Sequence, residues 1–182
     1  MTLDNAQLLV LKAAILAETD VQFVIDRTAG STTNMANFYN QDSTFVVWKT
    51  TTRADDVFES ILWKKLTPED NPDGTAAYTN IALACQGRQF NVQTMLVGRE
   101  TIASSKNQIR QGLNDALTSV PSGVAGALQA AGWSAVKLVM QRFATKCEEL
   151  YATGTGTSGT PGGLVFEGQI SRTDINAALA AV

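Results

Sequence analysis

Residues 134–170 read SAVKLVMQRFATKCEELYATGTGTSGTPGGLVFEGQI, and this stretch decides the fold. Trp133, Val136, Val139, Met140, Phe143, Cys147 and Leu150 recur three or four residues apart, the period of one buried helix face. Residues 153–163 (TGTGTSGTPGG) then forbid further helix, because glycine is entropically costly there and proline lacks the amide hydrogen. Leu164, Val165 and Phe166 follow as a β-prone run that ends at Glu167-Gly168. The expectation is a rigid helix carrying a flexible loop and a short strand, an arrangement suited to docking on a neighbour.

Outward from that stretch, the chain predicts mostly helix. Residues 2–17 form a first helix with Leu3, Leu8, Leu11 and Ile15 on one stripe, beside Leu9 and Leu16, and with Thr2 or Asp4 as its cap. Residues 20–27 present Val21, Val24 and Ile25 inward, and residues 33–40 present Met35, Phe38 and Tyr39. Residues 43–52 (STFVVWKTTT) are β-branched and aromatic and read as a strand, with Trp48 in a core or interface. Helix returns over 53–65, around Val57, Ile61 and Leu62, and over 76–97. Ser104 is expected to cap the next helix, whose apolar line is Ile109, Leu113 and Leu117. Residues 66–75 are a loop, Pro121, Gly123 and Gly126 a joint, and Ser171 with Asp174 a capping box for a last helix over 172–180. The fold class is therefore mainly α: a helical bundle with a small β-hairpin or extended arm near the C-terminus. It reads as one domain, with a helical body over 1–152, the glycine–threonine loop and β arm over 153–170, and a short helix over 171–182.

Composition narrows the function. A chain of 182 residues with 45% hydrophobic and 17% charged residues can bury a core and is not disordered. No apolar run approaches the ~20 residues that span a bilayer, and the N-terminus lacks a basic region before its apolar residues. We therefore expect a soluble protein made in the cytoplasm, with no membrane partner. Cys85 and Cys147 lack any CxxC spacing and read as two buried free thiols, with a disulfide between them the alternative.

Histidine is absent, which removes Ser–His–Asp and Cys–His catalysis and every histidine metal site. The acidic loop residues Glu69, Asp70 and Asp73 do not make an EF-hand, since Pro72 intrudes and the closing glutamate is missing. The glycine–threonine tract lacks the lysine and the strand–loop–helix order of a phosphate loop. Asp55-Asp56 and Glu148-Glu149 are adjacent in sequence and diverge around a helix, so neither is an acid/base pair. No enzyme, metal or cofactor is expected.

Charge is uneven. Residues 1–87 hold six Lys/Arg against eleven Asp/Glu; residues 88–146 hold seven against two. The basic group is Arg88, Arg99, Lys106, Arg110, Lys137, Arg142 and Lys146. Such asymmetry steers association between copies or with a charged partner, and Arg99, Lys106 and Arg110 are the candidates for facing DNA.

The chain resembles a family of small virion proteins of tailed phages and prophages. The resemblance covers most of the length and rests on LKAAILA (11–17), STFVVWKT (43–50), the run 61–100 (ILWKKLTPEDNPDGTAAYTNIALACQGRQFNVQTMLVGRE), IRQGLNDALTSVPSG (109–123), AAGW (130–133), ATKCEELYATGTGT (144–157) and LVFEGQIS (164–171). It implies a head–tail connector (adaptor): a homo-oligomeric ring beneath the portal, a dodecamer where it matches the portal, which extends the DNA channel and docks the next neck or tail protein. Capsid decoration and tail completion are the alternatives, and a DNA-packaging accessory is a third. The resemblance implies assembly in the host cytoplasm, residence in the virion neck and transient non-specific contact with packaged DNA. On this reading Thr153, Gly154, Thr155, Gly156, Leu164, Val165 and Phe166 bind a partner. The loop orders on docking, and Leu164, Val165 and Phe166 add a strand to a neighbour's sheet edge or form a hairpin with Gln169-Ile170.

Overall fold

A computed structural model describes residues 3–66, 76–121 and 128–182. In chain order these form α1 (Asn5–Ala17), α2 (Val21–Thr28), α3 (Thr32–Tyr39), β1 (Asp42–Trp48) and β2 (Thr52–Arg53). Then come α4 (Ala54–Ser60), α5 (Trp63–Leu66), α6 (Ala76–Leu96), β3 (Thr101–Ile102), α7 (Asn107–Leu117), β4 (Val120–Pro121) and β5 (Leu128–Gln129). The last are α8 (Trp133–Val139), β6 (Gln141–Thr145), α9 (Lys146–Tyr151) and α10 (Arg172–Ala180). The protein is mainly α, as its composition and periodicity predict. The acidic side chains and turns of residues 67–75, and the joint glycines Gly123 and Gly126, lie outside the described residues.

Contacts divide the chain into two compact units, one of Met1–Trp48 with Arg142–Val182, the other of Lys49–Gln141. This division cuts across the consecutive body, arm and tail helix read from the sequence, because the first and last segments share one core.

In the terminal unit that core joins Leu11 and Ile15 of α1, Phe23 of α2, Met35 and Tyr39 of α3, Cys147 of α9 and Ile175 of α10, with Phe166 and Ile170 between the last two. Local signals set its helix ends. Asp4 accepts from the Gln7 amide while the Gln7 side chain accepts from the Asp4 amide, and Ser171 and Asp174 form the expected box on α10. Arg27 crosses back to the end of α1, donating to the carbonyls of Ile15 (2.6 Å) and Leu16 (2.9 Å), where orphan carbonyls and the helix dipole favour a cation. Tyr39 packs edge to face against both Phe23 and Phe38. The Tyr151 hydroxyl donates to Gln7 O (2.8 Å), tying α9 to α1. Asn40 bonds both backbone groups of Ile170 with its amide, at 2.8 and 2.9 Å.

The central unit packs Val57, Leu66, Val92, Leu113, Leu117 and Val136 without exposure. β2 and β3 pair antiparallel, Thr52 opposite Ile102, and β4 and β5 pair likewise, Val120 opposite Gln129.

Four expectations about the helices change. First, the helix expected through residue 150 is interrupted: α8 stops at Val139, Gln141–Thr145 is strand β6, and α9 starts afresh. β6 lies beside β1; Lys146 N–H donates to Gln41 O at one end and Lys49 N–H to Met140 O at the other, so the strands run antiparallel. The β-prone strand β1 exposes backbone groups that need a partner, and that demand outweighs the helical spacing of residues 136–147. Second, Phe23 is the buried residue of α2, whereas Val21 is 76% exposed and Ile25 also faces out. Third, Ser104 caps nothing: it is buried, its hydroxyl bonded to that of Thr52, and Lys106 holds the N-cap position of α7. Fourth, the helix expected over 53–65 is two, α4 and α5, parted at Ile61-Leu62, with Ile61 buried and Leu62 exposed.

Candidate functional site

The glycine–threonine loop is ordered against its own chain. Thr153 and Gly163 exchange both backbone hydrogen bonds, each 2.9 Å, and close the loop at its base. The loop then lies along the edge of β1. Val46 N–H donates to Gly156 O (2.7 Å), Gly162 N–H to Val46 O (2.8 Å), and Trp48 N–H to Gly162 O (3.2 Å). An edge that would otherwise invite pairing with another chain is covered.

Glycine is required at two points. A Cβ at Gly156 would stand 2.2 Å from the Phe45 ring, and one at Gly162 would stand 2.4 Å from it and 2.7 Å from Thr153 O. Gly156 also has φ +64°, a left-handed conformation that L side chains disfavour. The two glycine backbones thus cradle the Phe45 ring. Both are buried, whereas Thr153, Gly154, Thr155 and Thr157 are exposed, as are Ser158, Gly159 and Thr160. The tip is braced from within: Thr155 and Thr157 share hydrogen bonds with the Thr160 hydroxyl, and Thr160 N–H donates to Thr157 Oγ1 (3.0 Å).

An ion pair on the buried carboxylate of Glu148 anchors the segment that follows. Arg142 grips Glu148 with two bonds (2.6 and 2.8 Å) and reaches Glu167 (3.2 Å). Glu148 also accepts from the amides of Thr145 (2.9 Å) and Gly168 (3.1 Å). Burial pushes the Glu148 carboxyl up, but these bonds together outweigh it and hold the group below the usual carboxylate range. Thr145 and Glu148 are at once the capping box of α9 and part of this clasp. The sequence carries that signal, Thr-x-x-Glu, and it marks a helix start inside the stretch read as continuous.

The seven predicted partner-binding residues therefore differ in role. Thr153, Gly154, Thr155 and Gly156 belong to the docked loop. Leu164, Val165 and Phe166 form no strand and no hairpin with Gln169-Ile170: Phe166 is buried against Tyr151, ring centroids 5.5 Å apart, while Val165 is exposed. Phe45, the residue the loop closes on, was not visible to sequence reasoning, since nothing local links it to residues 156 and 162.

The candidate DNA-facing residues cluster around the turn from β3 into α7. Arg99 and Lys106 are exposed. Arg110 folds back on that turn, donating to Ser104 O (2.8 Å) and Ser105 O (2.6 Å). Of the wider basic group, Arg88 bonds Thr118 O (3.0 Å) at the end of α7, Arg142 is in the clasp, and Lys146 sits over the Phe38 ring. Arg88, Arg110, Arg142 and Lys146 are thus engaged with their own chain.

Both cysteines are buried, and neither is in a disulfide. Burial, then the neighbouring carboxylates of Glu148 and Asp174, pushes the Cys147 thiol up to about 12, which leaves no thiolate at neutral pH. Among the described residues no three Cys, Asp or Glu side chains gather as metal ligands, and no helix is long and apolar enough to cross a membrane. No protein family, curated protein or solved structure matches the chain.

Proposed function

We propose that the protein is a structural component of a tailed-phage virion, a head–tail connector (adaptor) that rings the underside of the portal, extends the DNA channel and docks the next neck or tail protein. Its work is binding, not turnover. The reading starts from the resemblance of the segments quoted above, and one observation carries it further: the loop of residues 153–163 displays an exposed tip on a base closed by paired hydrogen bonds and followed by the half-buried Arg142–Glu148 ion pair. Such a loop is a rigid finger. Its two ends belong to one core, so it meets a partner by its tip and does not thread away as a free arm. Copies in the ring meet head to tail, the contact that closes under rotation. The engagement of Arg88, Arg110 and Arg142 by their own chain fits a channel that lets DNA pass without gripping it.

The test is co-sedimentation of the purified protein with portal assemblies, followed by electron microscopy. A ring retained on the portal is expected. A protein that ignores the portal, or that is missing from mature particles, overturns the reading. Retention on the capsid shell after the tail and neck are removed favours decoration instead, and release with the tail favours tail completion. Strong DNA binding that collapses with salt, with a slope flattened by Arg99→Ala and Lys106→Ala, favours a packaging accessory.

A further inference from the structure

Helix α1 is apolar on two sides. One side, Leu11 and Ile15, is buried in the terminal unit's core. The opposite side carries Ala6, Leu9, Val10, Ala13, Leu16 and Ala17, all exposed, with Leu9 at 40% and Leu16 at 59%. These six recur at the three-, four- and seven-residue spacing of a helix–helix seam, small at 6 and 13, large at 9 and 16. No charge interrupts the stripe. The single charged residue of α1, Lys12, is turned into its own chain, where its ammonium donates to Ala181 O (2.6 Å). An apolar stripe on a second side of a helix is a face that burial favours covering.

We propose that this stripe is an interface with a second copy of the chain, α1 packing antiparallel on α1 of its partner. The pattern is self-complementary in that direction. A two-fold axis that sets residue 9 against residue 13 also sets 6 against 16, so each leucine enters the space over an alanine; a parallel pair would set leucine on leucine and alanine on alanine. Identical charge-free faces meet without repulsion, which an isologous contact requires. Six exposed side chains, three of them alanine, are enough to mark a contact site but too few for the ~800 Å² per partner of a standard stable interface. The dimer is therefore reversible and concentration-dependent. This seam is independent of the connector reading, because a two-fold contact closes at two copies and a ring needs a different, head-to-tail surface.

Sedimentation equilibrium of the purified full chain tests it. The wild-type mass should double as concentration rises through the micromolar range. Leu9→Glu and Ala13→Lys should each weaken association about tenfold or more, with helical content and melting temperature unchanged because both positions are exposed. Mixing the two variants should restore association, since the introduced carboxylate and ammonium then face each other. A wild type monomeric to ~0.5 mM, association indifferent to both changes, or failure of the mixture to recover overturns the proposal. A wild type that rings the portal yet never forms the two-fold dimer removes the seam and leaves the connector reading standing; a wild-type dimer that never binds portal does the reverse.

Discussion

Replacing Gly156 by alanine tests the seating of the glycine–threonine loop most directly. The new Cβ would lie 2.2 Å from a Phe45 ring carbon, far inside van der Waals contact, in a backbone with φ +64°. If the loop stays in place, the left-handed conformation costs about 1 kcal/mol and displacing the ring about 1–3 more. If the loop lifts instead, it forfeits the three hydrogen bonds to Val46 and Trp48, about 1 kcal/mol each. Either route destabilises the docked loop by about 3 kcal/mol, and lifting leaves the core intact. Amide hydrogen exchange should therefore quicken about 100-fold at Val46, Trp48 and Gly162, while buried amides of α1 and α10 keep their protection. Gly159→Ala is the control. Its Cβ would meet only Thr157 Oγ1, at an ordinary 3.7 Å, so the change should stay within about 0.5 kcal/mol. Adding Phe45→Ala to the Gly156 variant should relieve the clash, so the two costs should not add. Equal behaviour of the two glycine variants, with exchange at Val46 and Trp48 unmoved, would refute the cradle.

Two further outcomes follow from buried charge and buried thiol. Removing the Glu148 carboxylate by Glu148→Ala leaves half-buried Arg142 with Glu167 as its remaining carboxylate and the Thr145 and Gly168 amides without their acceptor; a loss of about 3 kcal/mol in urea denaturation is expected, and a loss below about 1 would mean the clasp is replaceable by water. Because the folded-state pKa of Glu148 is depressed, its contribution is full above the unfolded value of about 4.3 and is lost as pH falls through the folded value, so wild type and variant should converge in acid. Cys147 behaves oppositely at the alkaline end: held protonated in the fold to about 12, it should cost stability as pH rises above its ordinary value of about 8.5, with Tyr39 and Tyr151, both also raised by burial, adding to the loss above about 10. A Cys147→Ala variant should show a flatter alkaline limb, and alkylation of native Cys147 at neutral pH, at the rate of a free thiol, would contradict its burial.

Signals that act within four residues were legible in the sequence. Asp4, and Ser171 with Asp174, start helices where side-chain oxygens meet orphan amides, the glycines and Pro161 end helix after Tyr151, and residues 43–48 are a strand because their side chains are β-branched and aromatic. The absence of histidine likewise needed no coordinates. Only tertiary structure decided the rest. Residues 141–145 carry a helical period and become strand β6 because β1 has backbone groups to satisfy. Helix α1 offers two apolar faces, and only packing against α9, α10 and the core says which is spent and which is left over. The loop of residues 153–163 looked like a free arm and is instead closed on Phe45, more than a hundred residues earlier. Caps, breaks and periods are short-range and written into neighbouring residues; the partner of a strand edge, or of an aromatic ring, is chosen by whichever distant segment the fold brings to it.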